Sequence, residues 1–153
     1  MLLLRHASAG ERVDPPALDV ARPLDRRGRA DARRLPKSLA GHRIERIVSS
    51  PHRRCIETVE PIAAARGLAV EVKSEFEPDA SVDQTRALLA RLSDETLVCT
   101  HREVFERLFH GEVACEKGGA WKVEHVRARL LPVEYFEPPA KRAARPTRLV
   151  RAH

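Results

Sequence analysis

Hydrophobic positions along this chain fall into short blocks separated by polar, periodic stretches. Leu2 to Leu4, Ile44 to Val48 and Leu97 to Thr100 read as buried strands, and Leu68, Val70 and Val72 alternate as a strand between the last two. Asp25 is placed to N-cap a helix over roughly residues 26–40, with Leu35 and Leu39 on one face and a kink or break expected at Pro36. Ser50 suits an N-cap and Pro51 a first helical position, ahead of a helix presenting Cys55, Ile56, Val59 and Ile62 and bent by Pro61. Ser81 and Gln84 have capping-box spacing before Leu88, Leu89 and Leu92. A short helix with Val104, Phe105, Leu108 and Phe109 stops at Gly111. Trp121 to Glu124 and Arg129 to Tyr135 read as a final antiparallel pair, with Trp121 a packing residue. Residues 7–24, holding Pro15, Pro16 and Pro23, read as an irregular loop. Strands alternating with helices predict an α/β domain with a mostly parallel sheet.

Composition sharpens that picture. The 153 residues suit one compact domain, and at 42% apolar but 4% aromatic its core must be aliphatic. Cys55, Cys99 and Cys115 form no CxxC pair and are odd in number, which argues against a disulfide framework and a structural zinc site. No membrane-spanning run or signal peptide is visible, so a cytoplasmic location is expected. The net charge of +6 first suggests nucleic acid. Five of those charges, however, sit on Lys141, Arg142, Arg145, Arg148 and Arg151 in an acid-free stretch. The expected division is a domain over residues 1–137 and a basic, disordered tail over 138–153. No aromatic residue interleaves that tail to stack on bases, which weighs against nucleic acid as a partner.

Two histidines end two strands. His6 follows Leu2–Leu4 and His101 follows Leu97–Thr100, and ligands of open α/β sheets sit beyond the carboxyl ends of strands. A third strand end, Ser49-Ser50, leads into a helix whose first turn holds Arg53 and Arg54, and Arg5 stands beside His6. Helix N-termini favour anions, and guanidinium forks match phosphate oxygens. Two imidazoles and at least two guanidiniums, with no fixed carboxylate among them, suit a phosphoryl group. Neighbouring cations would hold a histidine neutral and nucleophilic and would stabilise the charge on the transferred group. Arg53 reads as a solvated neighbour. His42, His52, His110, His125 and His153 read as ordinary. A zinc site on His6 and His101 lacks a third ligand.

These residues resemble the motifs of the histidine phosphatase (phosphoglycerate-mutase-like) superfamily. Leu3-Leu4-Arg5-His6 resembles its Arg-His signature, Ser49-Ser50-Pro51-His52-Arg53-Arg54-Cys55-Ile56-Glu57-Thr58 its Ser-Ser-Pro-x-x-Arg-x-x-Gln-Thr motif, and Cys99-Thr100-His101 its third. Arg22-Pro23-Leu24-Asp25 and Gly28 match a further common stretch, and the likeness covers about residues 1–125. The chain is similar to the small bacterial phosphohistidine phosphatases, and more so to the phosphatase half of actinobacterial proteins that carry a Nudix hydrolase.

The resemblance implies a three-layer α/β/α fold and a metal-independent phosphatase that needs no cofactor. It makes His6 the phosphorylated nucleophile, Arg5 and Arg54 the phosphate clamps, and His101 a donor to the phosphoryl oxygens. Arg22 joins Arg5, Arg54 and His101 as a substrate-binding residue. Departures are Ala7 after the histidine, Glu57 for the usual Gln, Arg102 after His101, and no alignable carboxylic acid for the leaving group. Glu77, Asp79 and Glu103 are the candidate stand-ins. A phosphomonoester, phosphoramidate or nucleoside diphosphate is the expected substrate, carried on a small molecule or as phosphohistidine on a protein. The alternative is a catalytically weak phosphate- or nucleotide-binding member of the same fold.

Overall fold

The structure is a computed structural model, and it describes residues 1–140. Six strands form one mixed sheet: β1 (Leu2–Arg5), β2 (Arg46–Ser49), β3 (Val70–Val72), β4 (Thr96–Thr100), β5 (Ala120–Val126) and β6 (Arg129–Phe136). Their spatial order is β3-β2-β4-β1-β5-β6. The first four are mutually parallel, and the β5–β6 hairpin adds antiparallel to β1. The helices are α1 (Pro16–Asp19), α2 (Arg26–Ser38), α3 (Arg53–Arg66), α4 (Val82–Leu89) and α5 (Arg102–Leu108), with a 3₁₀ turn at Ser74–Phe76.

Period-two alternation in the strands builds the three layers. Leu2, Leu4, Ile47, Leu97 and Cys99 point to one face, where Leu35 and Leu39 from the α2 region and Val59 and Ile62 of α3 cover them. Leu3, Val48, Val98 and Val123 point to the other face, against Leu88 and Leu89 of α4 and Val104, Phe105 and Leu108 of α5. Both faces of the parallel strands are therefore apolar, which is why they read as continuous hydrophobic runs. The aliphatic core expected from composition is present, with Phe76 and Phe105 its largest fully buried side chains.

Several local expectations change. Residues 7–24 contain a one-turn helix, α1, started by Pro16 at its first position. The α2 helix runs through Pro36 without a break: Pro36 lies in the last turn, and the Leu39 N–H still reaches the Leu35 carbonyl at 2.9 Å. Pro61 likewise lies inside a continuous α3. Asp25 caps α2 as expected, accepting from the Gly28 N–H at 2.8 Å. Gly28 is required there because a Cβ would overlap the Ser8 carbonyl, so α2 lies directly on the chain leaving β1. Ser81 accepts from the Gln84 N–H at 3.2 Å, as its capping spacing implied. Pro138 and Pro139 are buried, so packing reaches past the expected domain boundary at 137. The basic residues 141–153 lie outside the described residues.

Candidate active site

The central position of β4 decides the site. Strands β1 and β2 flank it, so the chain leaving all three passes through one small volume. The His6 N–H bonds the Thr100 carbonyl at 3.0 Å, and the Ser50 N–H bonds the Cys99 carbonyl at 3.0 Å. These two bonds extend the ladders by one residue and place His6, Ser50 and His101 side by side. The imidazoles of His6 and His101 have ring centroids 5.3 Å apart. Both residues are buried, at 8% and 1% exposure.

Arg54 enters from the first turn of α3, with its side chain 3% exposed. Its Nη2 lies 3.4 Å from His101 Nδ1, and its Nη1 donates to the Asp19 carbonyl at 2.9 Å. Thr58 shows why the second motif ends in threonine. Its hydroxyl donates to the Arg54 carbonyl at 2.6 Å and accepts from the Ala7 N–H at 3.0 Å, joining α3 to the segment after His6. Glu57 Oε1 accepts from the Leu24 N–H at 3.0 Å, tying the same helix to the stretch before α2. Arg5 turns toward the hairpin side, where its Nη1 donates to the Cys115 carbonyl at 2.8 Å. The Nε atoms of Arg5 and Arg54 are buried and have no partner.

The expectation of no fixed carboxylate is corrected by Asp19. This residue is buried at the end of α1, with Oδ2 3.3 Å from Arg54 Nη2 and Oδ1 accepting from Arg22 Nε at 2.8 Å and the Val13 N–H at 3.0 Å. The Asp-x-x-Arg spacing of Asp19 and Arg22 was the signal for this pair, hidden because the segment reads as irregular. Arg22 also donates to the Ala9 and Gly10 carbonyls, so its fork organises the loop around the pocket. Its charge still reaches the histidines.

Ser50 is a second correction. It does not cap α3, which begins at Arg53 with His52 as a cap residue that makes no side-chain capping bond. The Ser50 hydroxyl is already engaged, 2.8 Å from His101 Nε2. His52 is not an ordinary surface histidine either. It is 8% exposed, its ring lies 4.7 Å from that of His101, and its Nδ1 is buried with no partner. Its position inside the second motif was the available signal. Arg53 is solvated, as expected, and it also pairs with Glu57 at 3.5 Å.

Burial is the main cause of the perturbed acid–base behaviour, with neighbouring cations adding to it. Burial, then the charges of Arg54, Arg5 and Arg22, hold His6 down at about 3 despite the Ala7 carbonyl bonded to it. Burial, then His6, Arg54 and His52, push His101 far below its ordinary value. Burial and Arg54 lower His52. Burial opposes ionisation of Asp19, but hydrogen bonds from Val13 and Arg22 and the charge of Arg54 outweigh it, so Asp19 is held below its ordinary value. Three neutral imidazoles therefore face the buried Arg54 guanidinium and the half-buried Arg5 and Arg22 at pH 7, an arrangement that favours an incoming anion.

The candidate acids sit further out. Glu103 accepts from exposed Arg12 at 3.0 Å, and its charge reaches both Arg5 and Arg54. Glu77 follows the 3₁₀ turn, whose Phe76 carbonyl accepts from Thr100 Oγ1 at 2.7 Å. Asp79 is exposed, and its charge reaches His52. Among the described residues no cluster of metal-ligating side chains occurs, and no helix is long and apolar enough to cross a membrane.

The α/β fold brings paired imidazoles and arginines together at its strand ends, a set of donors with the chemistry to suit a compact anion. Residues 1–78 match the profile of the histidine phosphatase superfamily (branch 1), and the chain belongs to that superfamily. An 8-oxo-(d)GTP phosphatase of Mycolicibacterium smegmatis is 27% identical over 157 residues, covering 91% of this chain and 48% of the relative. The chain thus spans about half the length of that curated relative.

Solved structures share the fold. The protein histidine phosphatase SixA complexed with tungstate superposes with a TM-score of 0.74 at 23% identity, over 92% of this chain and 97% of its own. A mycobacterial glucosyl-3-phosphoglycerate phosphatase complexed with VO3 superposes with a TM-score of 0.72 at 15% identity, over 90% and 98%. Phosphatase chemistry through a histidine is the activity that membership of this superfamily supports.

Proposed function

We propose that this chain hydrolyses a phosphorylated substrate through a phosphohistidine formed on His6. One observation carries the reading: His6 Nδ1 lies 2.8 Å from the Ala7 carbonyl. A carbonyl only accepts, so Nδ1 holds the proton and Nε2 keeps its lone pair for attack. Burial among cations keeps that imidazole neutral at physiological pH. In the first step a bond forms between Nε2 and phosphorus, and the bond from phosphorus to the leaving group breaks. In the second, water attacks phosphorus and the phosphorus–nitrogen bond breaks, releasing phosphate and restoring His6.

Arg5, Arg54 and His101 serve as the phosphoryl-binding groups, and Arg22 contributes charge while ordering the loop. Glu103 is the best-placed acid of the three candidates, because its charge reaches both clamp arginines. Its engagement by Arg12 favours substrates whose leaving group needs little further protonation, such as a phosphoramidate or a nucleoside diphosphate. The likeness to an 8-oxo-(d)GTP phosphatase supports placing nucleoside di- and triphosphates first in a substrate panel.

The test compares wild type with His6→Ala on p-nitrophenyl phosphate, a phosphohistidine protein and nucleoside phosphates, in chelator. Turnover should fall by at least about 10³-fold, with loss of the acid-labile phosphoenzyme. Equal turnover by both proteins would remove His6 from the mechanism. Phosphate binding without turnover by the wild type on the whole panel would establish the binding-module alternative instead.

A further inference from the structure

His101 has both ring nitrogens occupied, and their partners differ in kind. Arg54, facing Nδ1, has no acceptor capacity, so Nδ1 is unprotonated while this contact stands. The proton of neutral His101 then sits on Nε2 and is donated to Ser50 Oγ at 2.8 Å. That hydroxyl also accepts from the His52 backbone N–H at 3.3 Å. Both residues are almost fully buried, Ser50 at 0% and His101 at 1%, so bulk solvent does not compete for this bond. The other atom near Nε2 is Cys55 Sγ at 3.5 Å, a weak partner. On the far side the His52 ring packs against that of His101 and limits its rotation.

We propose that Ser50 is a positioning residue that keeps Nε2 of His101 engaged in every state, so that Nδ1 is the nitrogen presented to the phosphoryl group. This rests on the phosphatase reading above. A dianionic phosphoryl oxygen only accepts, so Nδ1 must carry a proton when the pocket is filled. Two routes balance. In the first, the phosphoryl group arrives as a monoanion and gives its proton to Nδ1, while Nε2 keeps its own proton and still donates it to Ser50. In the second, Nδ1 takes the same proton from the monoanion, Nε2 gives its proton up to solvent, and the Ser50 hydroxyl rotates to donate. A hydroxyl supports both routes, because it accepts and donates at one place. Alanine supports neither, and threonine supports both.

The experiment uses the full chain labelled with ¹⁵N-histidine, read by long-range ¹H–¹⁵N correlation with and without inorganic phosphate. His101→Gln provides the assignment. Wild-type His101 should show Nε2–H with bare Nδ1 when empty, and Nδ1–H when phosphate is bound. The presence or absence of Nε2–H in the bound state distinguishes the two routes, and either supports the proposal. Ser50→Ala should scramble this pattern and lower kcat about 10- to 100-fold, the size of one buried donor left without its partner. KM should change little, and Ser50→Thr should restore both the spectrum and kcat. Thermal unfolding of each variant checks that the fold is kept.

Wild-type spectra and kcat in folded Ser50→Ala, or bare Nδ1 in the phosphate-bound wild type, would overturn the proposal. If Ser50→Ala does not fold, Ser50→Thr and the wild-type spectra decide it. Inactivity of His6→Ala alongside an unaltered Ser50→Ala refutes this inference alone. Full activity of His6→Ala refutes the phosphatase reading beneath it.

Discussion

The two ends of the parallel strands make opposite use of charge. At the amino ends a cleft of about 490 Å³ opens among Met1, His42, Arg43, Asp94, Glu95 and Lys122. Its charges are mixed in sign and solvated: Arg43, with a side chain 75% exposed, pairs with Glu45 at 2.7 Å and Glu95 at 3.6 Å, and Lys122 pairs with Glu124 at 3.7 Å. At the carboxyl ends Arg54 and Asp19 are buried together, His6 and His101 are neutral, and the arginine Nε atoms lack partners. Another wide hollow, about 460 Å³ between α4, α5 and the β5–β6 hairpin, likewise has no site histidine or arginine in its lining. The width of a concavity does not mark the site in this molecule. Charge removed from water marks it, because a buried cation lacking full compensation interacts with an arriving anion far more strongly than a solvated pair does.

Substitutions at each end sharpen that contrast. The largest effect is expected at Arg54. Arg54→Ala should lower kcat/KM for p-nitrophenyl phosphate by about 10²–10³-fold, the loss typical of one charge-stabilising donor. Arg54→Lys should recover only part of it, since a point charge cannot reproduce the fork that spans Asp19 and the anion. A loss below threefold for Arg54→Ala would erase the distinction between the two ends.

A pH titration of stability, read by urea unfolding, is expected to show an intermediate effect. His6 is held at about 3 when folded, against an ordinary value of 6.5, and His52 and His101 are lowered too. The unfolded chain therefore binds more protons than the folded one below pH 6.5. Stability should be complete above that value and fall as pH drops toward 3, by up to about 1.4 kcal/mol per pH unit for each such histidine. His6→Asn should flatten the profile by one proton. A flat wild-type profile between pH 7 and 4 would mean that these imidazoles are solvated. Arg43→Ala, at the other end, should show the smallest effect: unchanged turnover and an unfolding midpoint within error of wild type, as for exposed pairs generally.

Periodicity and motif spacing alone determined the alternating strands and helices, the two-faced core and the approximate place of His6, His101, Arg5 and Arg54. These are legible because burial imposes a period on every strand and helix, and because a residue's position at a strand end survives any detail of packing. Three things were decided only in three dimensions. Asp19 became a partner of Arg54 because the end of α1 meets the first turn of α3, and the proline-rich stretch that carries it has no period to reveal the contact. Ser50 abandoned helix capping because β4 lies between β1 and β2, which brings an imidazole to its hydroxyl from 51 residues away. His52 joined the pocket by the same strand order. Local propensity reads neighbours in sequence, whereas a buried hydrogen bond depends on which strand lies beside which, and that order follows from the collective packing of both sheet faces.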